Sequence, residues 1–96
     1  MITLAQAKSL QYGDHIYFIA CNKNGLYVTK VKVNGKPQTW KRLPERVRIP
    51  AKHGLSECFQ IWEDELNLWF MTENDALKAI RKAHKLGVYG GGIQTS

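Results

Sequence analysis

Lys30 and Lys32 alternate with Thr29, Val31 and Val33, Lys41 follows Trp40, and Arg46 and Arg48 alternate with Val47 and Ile49. Residues of one parity share a face in an extended strand. The alternation therefore sets cations on one side and β-branched residues on the other. A row of cations at strand spacing suits a phosphate backbone, which is held by several Lys and Arg contacts and carries no side-chain code of its own. Lys30, Lys32, Lys41, Arg42, Arg46 and Arg48 are accordingly the candidate nucleic-acid-binding residues. Tyr27 and Trp40 lie close by in sequence, and exposed rings of this kind stack on bases. The competing reading of the same pattern is a solvated outer face with Trp40 in the core.

Other chemistry finds less support. Glu63-Asp64-Glu65, with Asp14 and Glu57 elsewhere, supplies carboxylates of the kind that hold a divalent ion in nucleases. Such a site needs them to converge from separate elements, and three consecutive acids cannot all face one ion. Trp62, Glu63, Asp64, Glu65, Trp69 and Phe70 offer a second functional reading, an acidic aromatic surface for docking another protein. His15, His53 and His84 stand apart from acids and cysteines at ligand or triad spacing. Cys21 and Cys58 form no paired metal-ligand or redox motif and are expected as buried or half-buried thiols. The sequence thus predicts no metal, no cofactor and no catalytic residue, and the chain reads as a non-enzyme.

Charge is segregated along the chain. Of the 96 residues, which carry a net charge of +6, the stretch 23–52 has nine basic residues against Glu45 alone, a balance of +8. The stretch 57–75 has six acids and no base, and Lys78, Arg81, Lys82 and Lys85 then return +4. A molecule polarised in this way steers encounters with charged partners. No apolar run approaches the ~20 residues of a membrane span. Nothing near Met1 resembles a signal peptide, so the expected compartment is the cytoplasm.

The elements that would position these residues follow from period and punctuation. Thr3 with Gln6 forms a capping-box pattern ahead of a short helix to Leu10. After a Gly13-Asp14 turn, His15 to Cys21 is apolar on both faces and reads as a central strand. Asn22 to Gly25 is a turn, and Leu26 to Val33 is a second strand. Asn34-Gly35 is a strong two-residue hairpin signal, so Lys36 to Leu43 is expected to return as a third strand. In that register Lys32 faces Pro37. Tyr27, Thr29, Val31, Val33 and Trp40 share the buried face, while Lys30, Lys32 and Lys41 share the exposed one. Pro44 and Pro50 bracket a short strand from Arg46 to Ile49. Cys58 to Trp62 and Leu66 to Met71 read as the fifth and sixth strands. Thr72 with Asp75 starts a helix to about Leu86, stopped by Gly87, with Leu77, Ile80 and Ala83 inward, flanked by Ala76 and Ala79, and Lys78, Arg81, Lys82 and Lys85 outward.

The expected fold is mainly β with flanking helices (α+β): a small antiparallel SH3-like barrel over residues 1–87 with a short N-terminal and a C-terminal helix, and a flexible tail at 88–96. The runner-up is an open α+β sheet crossed by the last helix. Leu10, Gly13 and Asp14 before an apolar strand resemble the opening of SH3-like barrels. Val33-Asn34-Gly35-Lys36, Thr39-Trp40-Lys41-Arg42, Pro44, Arg46-Val47, Pro50 and Lys52-His53-Gly54-Leu55 resemble a pattern in short, uncharacterised bacteriophage and prophage proteins. That resemblance implies a mobile-element origin and carries no catalytic residues. The leading functional expectation is a non-catalytic accessory protein that binds DNA or RNA through the basic hairpin. The alternative is a protein–protein module that binds and inhibits a host factor.

Overall fold

A computed structural model describes residues 1–55 and 57–85. It is mainly an antiparallel sheet with two α-helices and a 3₁₀ helix. Helix α1 (Leu4–Ser9) opens with the expected box: Gln6 N–H donates to Thr3 Oγ1 at 3.1 Å, and Thr3 N–H donates to Gln6 Oε1 at 2.9 Å. Each bond satisfies an amide that the first helical turn leaves without a partner. Strands β1 (His15–Asn22) and β2 (Gly25–Val33) form a hairpin that pairs Asn22 with Gly25 and His15 with Lys32. Asn22 Oδ1 accepts from Asn24 N–H at 2.8 Å, and Gly25 takes φ 122°, a left-handed value natural to glycine.

The chain does not reverse at Asn34-Gly35. Neither residue has positive φ, as a two-residue primed turn would require. Asn34 N–H instead donates to the Pro50 carbonyl at 2.8 Å. After four irregular residues, β3 (Gln38–Trp40) continues along the same partner, β4 (Leu43–His53). Val33 is opposite Ala51 and Gln38 opposite Arg48, so β4 lies beside β2 and β3 in succession. The expected β2–β3 pairing, with Lys32 facing Pro37, is replaced by Lys32 opposite Lys52. The tight reversal falls at Lys41-Arg42, between the paired residues Trp40 and Leu43.

Pro44 and Pro50 do not bound a strand; both lie inside β4. Pro50 is tolerated because the ladder bond it cannot donate points toward Asn34, where β2 is already leaving the ladder. Gly35 lies close against Pro50 instead. A Cβ on it would lie 3.1 Å from Pro50 Cγ.

Strand β5 (Glu57–Trp62) covers the other edge of β4, and a 3₁₀ helix (Glu63–Leu68) leads to β6 (Trp69–Phe70) on the far edge of β1. The order is β5-β4-β2-β1-β6, with β3 extending β2 along β4. Among the described residues no pairing joins β5 to β6, so the sheet is not closed into a barrel. The sixth strand is two residues long because Leu66 and its neighbours are taken up by the 3₁₀ helix.

One sheet face is the core. Ile16, Val31, Val33, Val47, Ile49, Ala51 and Ile61 are buried there with Ala7, Leu10, Leu66 and Trp69. Helix α2 (Glu73–Lys85) starts where Asp75 N–H donates to Thr72 Oγ1 at 3.1 Å, and it packs against β1, β2 and β6. Ala76 is its fully buried residue, whereas Leu77 is 37% exposed. The expected inward stripe is therefore rotated: Ala76, Ala79, Ile80 and Ala83 face the sheet and Leu77 does not. Arg81 is exposed as expected; the Lys85 side chain, the Leu86-Gly87 stop and the 88–96 tail lie outside the described residues. No helix among the described residues is long and apolar enough to cross a membrane.

Candidate functional site

On the face of the sheet opposite the core, directly paired residues point the same way. Register places on it His15 with Lys32, Tyr17 with Lys30, Lys32 with Lys52, and Arg48 with both Gln38 and Trp62, while toward the tip of the β1–β2 hairpin the same face turns apolar, Ile19 with Val28 and Cys21 with Leu26, beside Ala79 and Ala83 of α2. Lys30, Lys32, Arg46, Arg48 and Lys52 thus form one basic surface spread over the two central strands. Lys30 is exposed; Lys32, Arg46, Arg48 and Lys52 are half-buried. Lys41 and Arg42 are exposed in the β3–β4 turn at one end of that surface rather than in a strand row.

Trp40 belongs to this outer face and not to the core. Beyond the irregular residues 34–37, β4 resets the alternation: Thr39 pairs with buried Val47 and Gln38 with Arg48, so Gln38 and Trp40 fall on the side of Lys30 and Lys32. Trp40 and Trp62 are half-buried and nearly parallel, with ring centroids 6.1 Å apart at 23°. The Arg46 guanidinium lies 5.3 Å from the Trp40 centroid and 4.7 Å from that of Trp62. The three groups make a triangle, so Arg46 leans on both indoles and is not sandwiched between them. Arg48 adds a second guanidinium 5.8 Å from Trp62, and its Nη2 donates to Gln38 Oε1. At the opposite end, Lys32 Nζ sits 4.6 Å from the Tyr12 ring centroid and donates to Tyr12 Oη at 3.2 Å.

Arg46 Nε is buried without a hydrogen-bond partner among the described residues. Neither Arg46 nor Arg48 has a carboxylate partner among the described residues. Glu63, next in sequence to Trp62, turns its carboxylate to the backbone, where Oε1 accepts from Val47 N–H at 3.0 Å. Lys32 and Lys52 stand directly opposite each other, an arrangement that costs stability.

The chain matches no family model, no curated protein and no solved structure. Function must therefore be argued from the surface itself.

Of the six residues picked from sequence, Lys30, Lys32, Arg46 and Arg48 come together on the outer face, and Lys41 and Arg42 stand at its end. Sequence reasoning misses Lys52, because a proline after Ile49 reads as a strand end, whereas Pro50 lies inside β4. The Arg46-Arg48-Pro50-Lys52 alternation was the available signal. It also missed Trp62 as a partner of Arg46. The six residues of the acidic aromatic reading are not one surface: Trp62 joins the basic face, while Trp69 is buried against Phe18, with ring centroids 4.9 Å apart. Cys21 and Cys58 are exposed rather than buried. Cys58 sits opposite Lys52 at the rim of the basic face. Among the described residues no three His, Cys, Asp or Glu side chains gather as metal ligands.

Proposed function

We propose that this chain is a non-catalytic accessory protein, of the phage or mobile-element kind its middle third resembles, and that it binds DNA or RNA through the outer face of β2 and β4. The observation that carries this reading is the Lys32–Lys52 pair. Like charges held opposite each other, with no acid paired to either among the described residues, are a standing cost that an anionic ligand removes. Arg46 and Arg48 continue the row along β4 at alternate positions, about 6–7 Å apart, a spacing suited to successive phosphates. The finer fold reading is an SH3-like strand order left open between β5 and β6: a meander whose last short strand returns beside β1 after a 3₁₀ helix supports it.

The test is fluorescence anisotropy with short labelled nucleic acids across a salt series. Contact with about four phosphates gives a slope of log K against log salt near −3 to −4. Reversing the exposed Lys30, Lys41 and Arg42 to Glu weakens binding strongly in a chain that still folds, since exposed charges contribute little to stability. No binding at about 50 mM salt by folded protein would transfer the surface to a protein partner, such as a host factor that it inhibits.

A further inference from the structure

Resting on the nucleic-acid reading, we propose that the ligand is a single strand, with a base lying on the Trp40–Trp62 indoles while Arg48, Lys52 and Lys32 follow its phosphates. A duplex presents phosphates outward and hides the faces of its bases, so it uses cations and leaves flat aromatic rings idle. A single strand offers both, and its readers combine a positive track with aromatic platforms. The outer face has that combination in one line. Two nearly parallel indoles stand at one end of the row Arg46, Arg48, Lys52, and the Tyr12 ring stands beside Lys32 at the other.

Arg46 fits this role better than a purely structural one. A guanidinium that served only to hold the indoles together would be expected to spend its N–H groups on nearby acceptors, yet its buried Nε has none. Moving to a phosphate or to a base edge gives Nε a partner, and an incoming base takes over the contact with the two rings that Arg46 leaves. On the β5 side of the row, Cys58 opposite Lys52 and Gln60 opposite Pro50 are exposed and bring no negative charge to the path of a strand.

The experiment compares three ligands of about 12 nucleotides, within the site sizes of single-strand binders: oligothymidylate, an abasic strand with the same phosphates, and a duplex. Stacking predicts that oligothymidylate binds at least about tenfold tighter than the abasic strand and quenches tryptophan fluorescence, which the abasic strand does not. Trp40→Leu, shown folded by circular dichroism, narrows that difference. Equal binding of all three would overturn the single-strand proposal while leaving a phosphate-reading surface in place. Binding of none at about 50 mM salt would remove the nucleic-acid reading and this proposal with it.

Discussion

Replacing Lys52 by Glu separates stability from function at one position. Lys52 is half-buried in β4 and directly opposite Lys32 in β2. Cross-strand partners lie about 5 Å apart at Cβ, and a like-charged pair costs about 0.2–1 kcal/mol, while an opposite-charged pair contributes a similar amount. Lys32 already eases the strain by resting its ammonium on Tyr12, which argues for the middle of the range. The swap should then raise stability by about 1 kcal/mol. In a domain of this size that is a rise in Tm of roughly 4–8 °C. In urea, with a slope of about 1–2 kcal/mol per M, the midpoint moves up by about 0.5–1 M. The gain should shrink as salt rises from about 50 mM to about 1 M, because screening acts on partly solvated charges. Nucleic-acid binding should fall at the same time, since a phosphate contact becomes a repulsion. Lys52→Gln should lie between the two proteins in both measurements. A Lys52→Glu protein that is less stable, or that binds as well as the parent, would refute the argument that this pair is kept for an anionic ligand.

Three other outcomes follow from the packing and the exposed thiols. Gly35→Ala should cost on the order of 1 kcal/mol in equilibrium unfolding, because the new Cβ meets Pro50 Cγ at 3.1 Å in a well-packed crossing. Its refolded structure should show Pro50 displaced and no change of turn type. Ile49→Ala, at a fully buried site, should cost about 2–5 kcal/mol, whereas Leu77→Ala should cost less than about 1 kcal/mol because Leu77 is partly in water; the reverse ranking would mean that α2 packs by another face. Bound oligonucleotide should slow alkylation of Cys58, at the rim of the basic face, and leave Cys21 unaffected at the far end of the β1–β2 hairpin. Protection of both or neither, read by mass spectrometry, would place the ligand elsewhere.

Local chemistry was enough to identify much of this chain. The Thr3–Gln6 box, the Asn22–Gly25 turn and the Thr72 cap each satisfy backbone groups with side chains a few residues away, so their patterns fixed those ends without help from the rest of the molecule. Strict alternation did the same for β2 and for Arg46 to Ile49, where a period of two assigns every side chain to a face. Even the basic character of the outer surface was legible, since Lys30, Lys32, Arg46 and Arg48 needed only that parity. What parity cannot fix is which strand lies next to which. Asn34-Gly35 has the local preference for a turn worth about a kcal/mol at most, and it loses to a long β4 that buries Val33, Val47, Ile49 and Ala51 together when the chain runs on. That one choice carried Trp40 from the core to the surface, moved the reversal to Lys41-Arg42 and set Lys32 against Lys52. The same applies to α2, whose sequence allows two inward stripes, and only the sheet beneath it selects Ala76 over Leu77. Sequence determined the faces of single strands because side-chain alternation is a local property; the tertiary structure decided the site, because bringing Arg46, Trp40 and Trp62 together depends on pairing between residues distant in the chain.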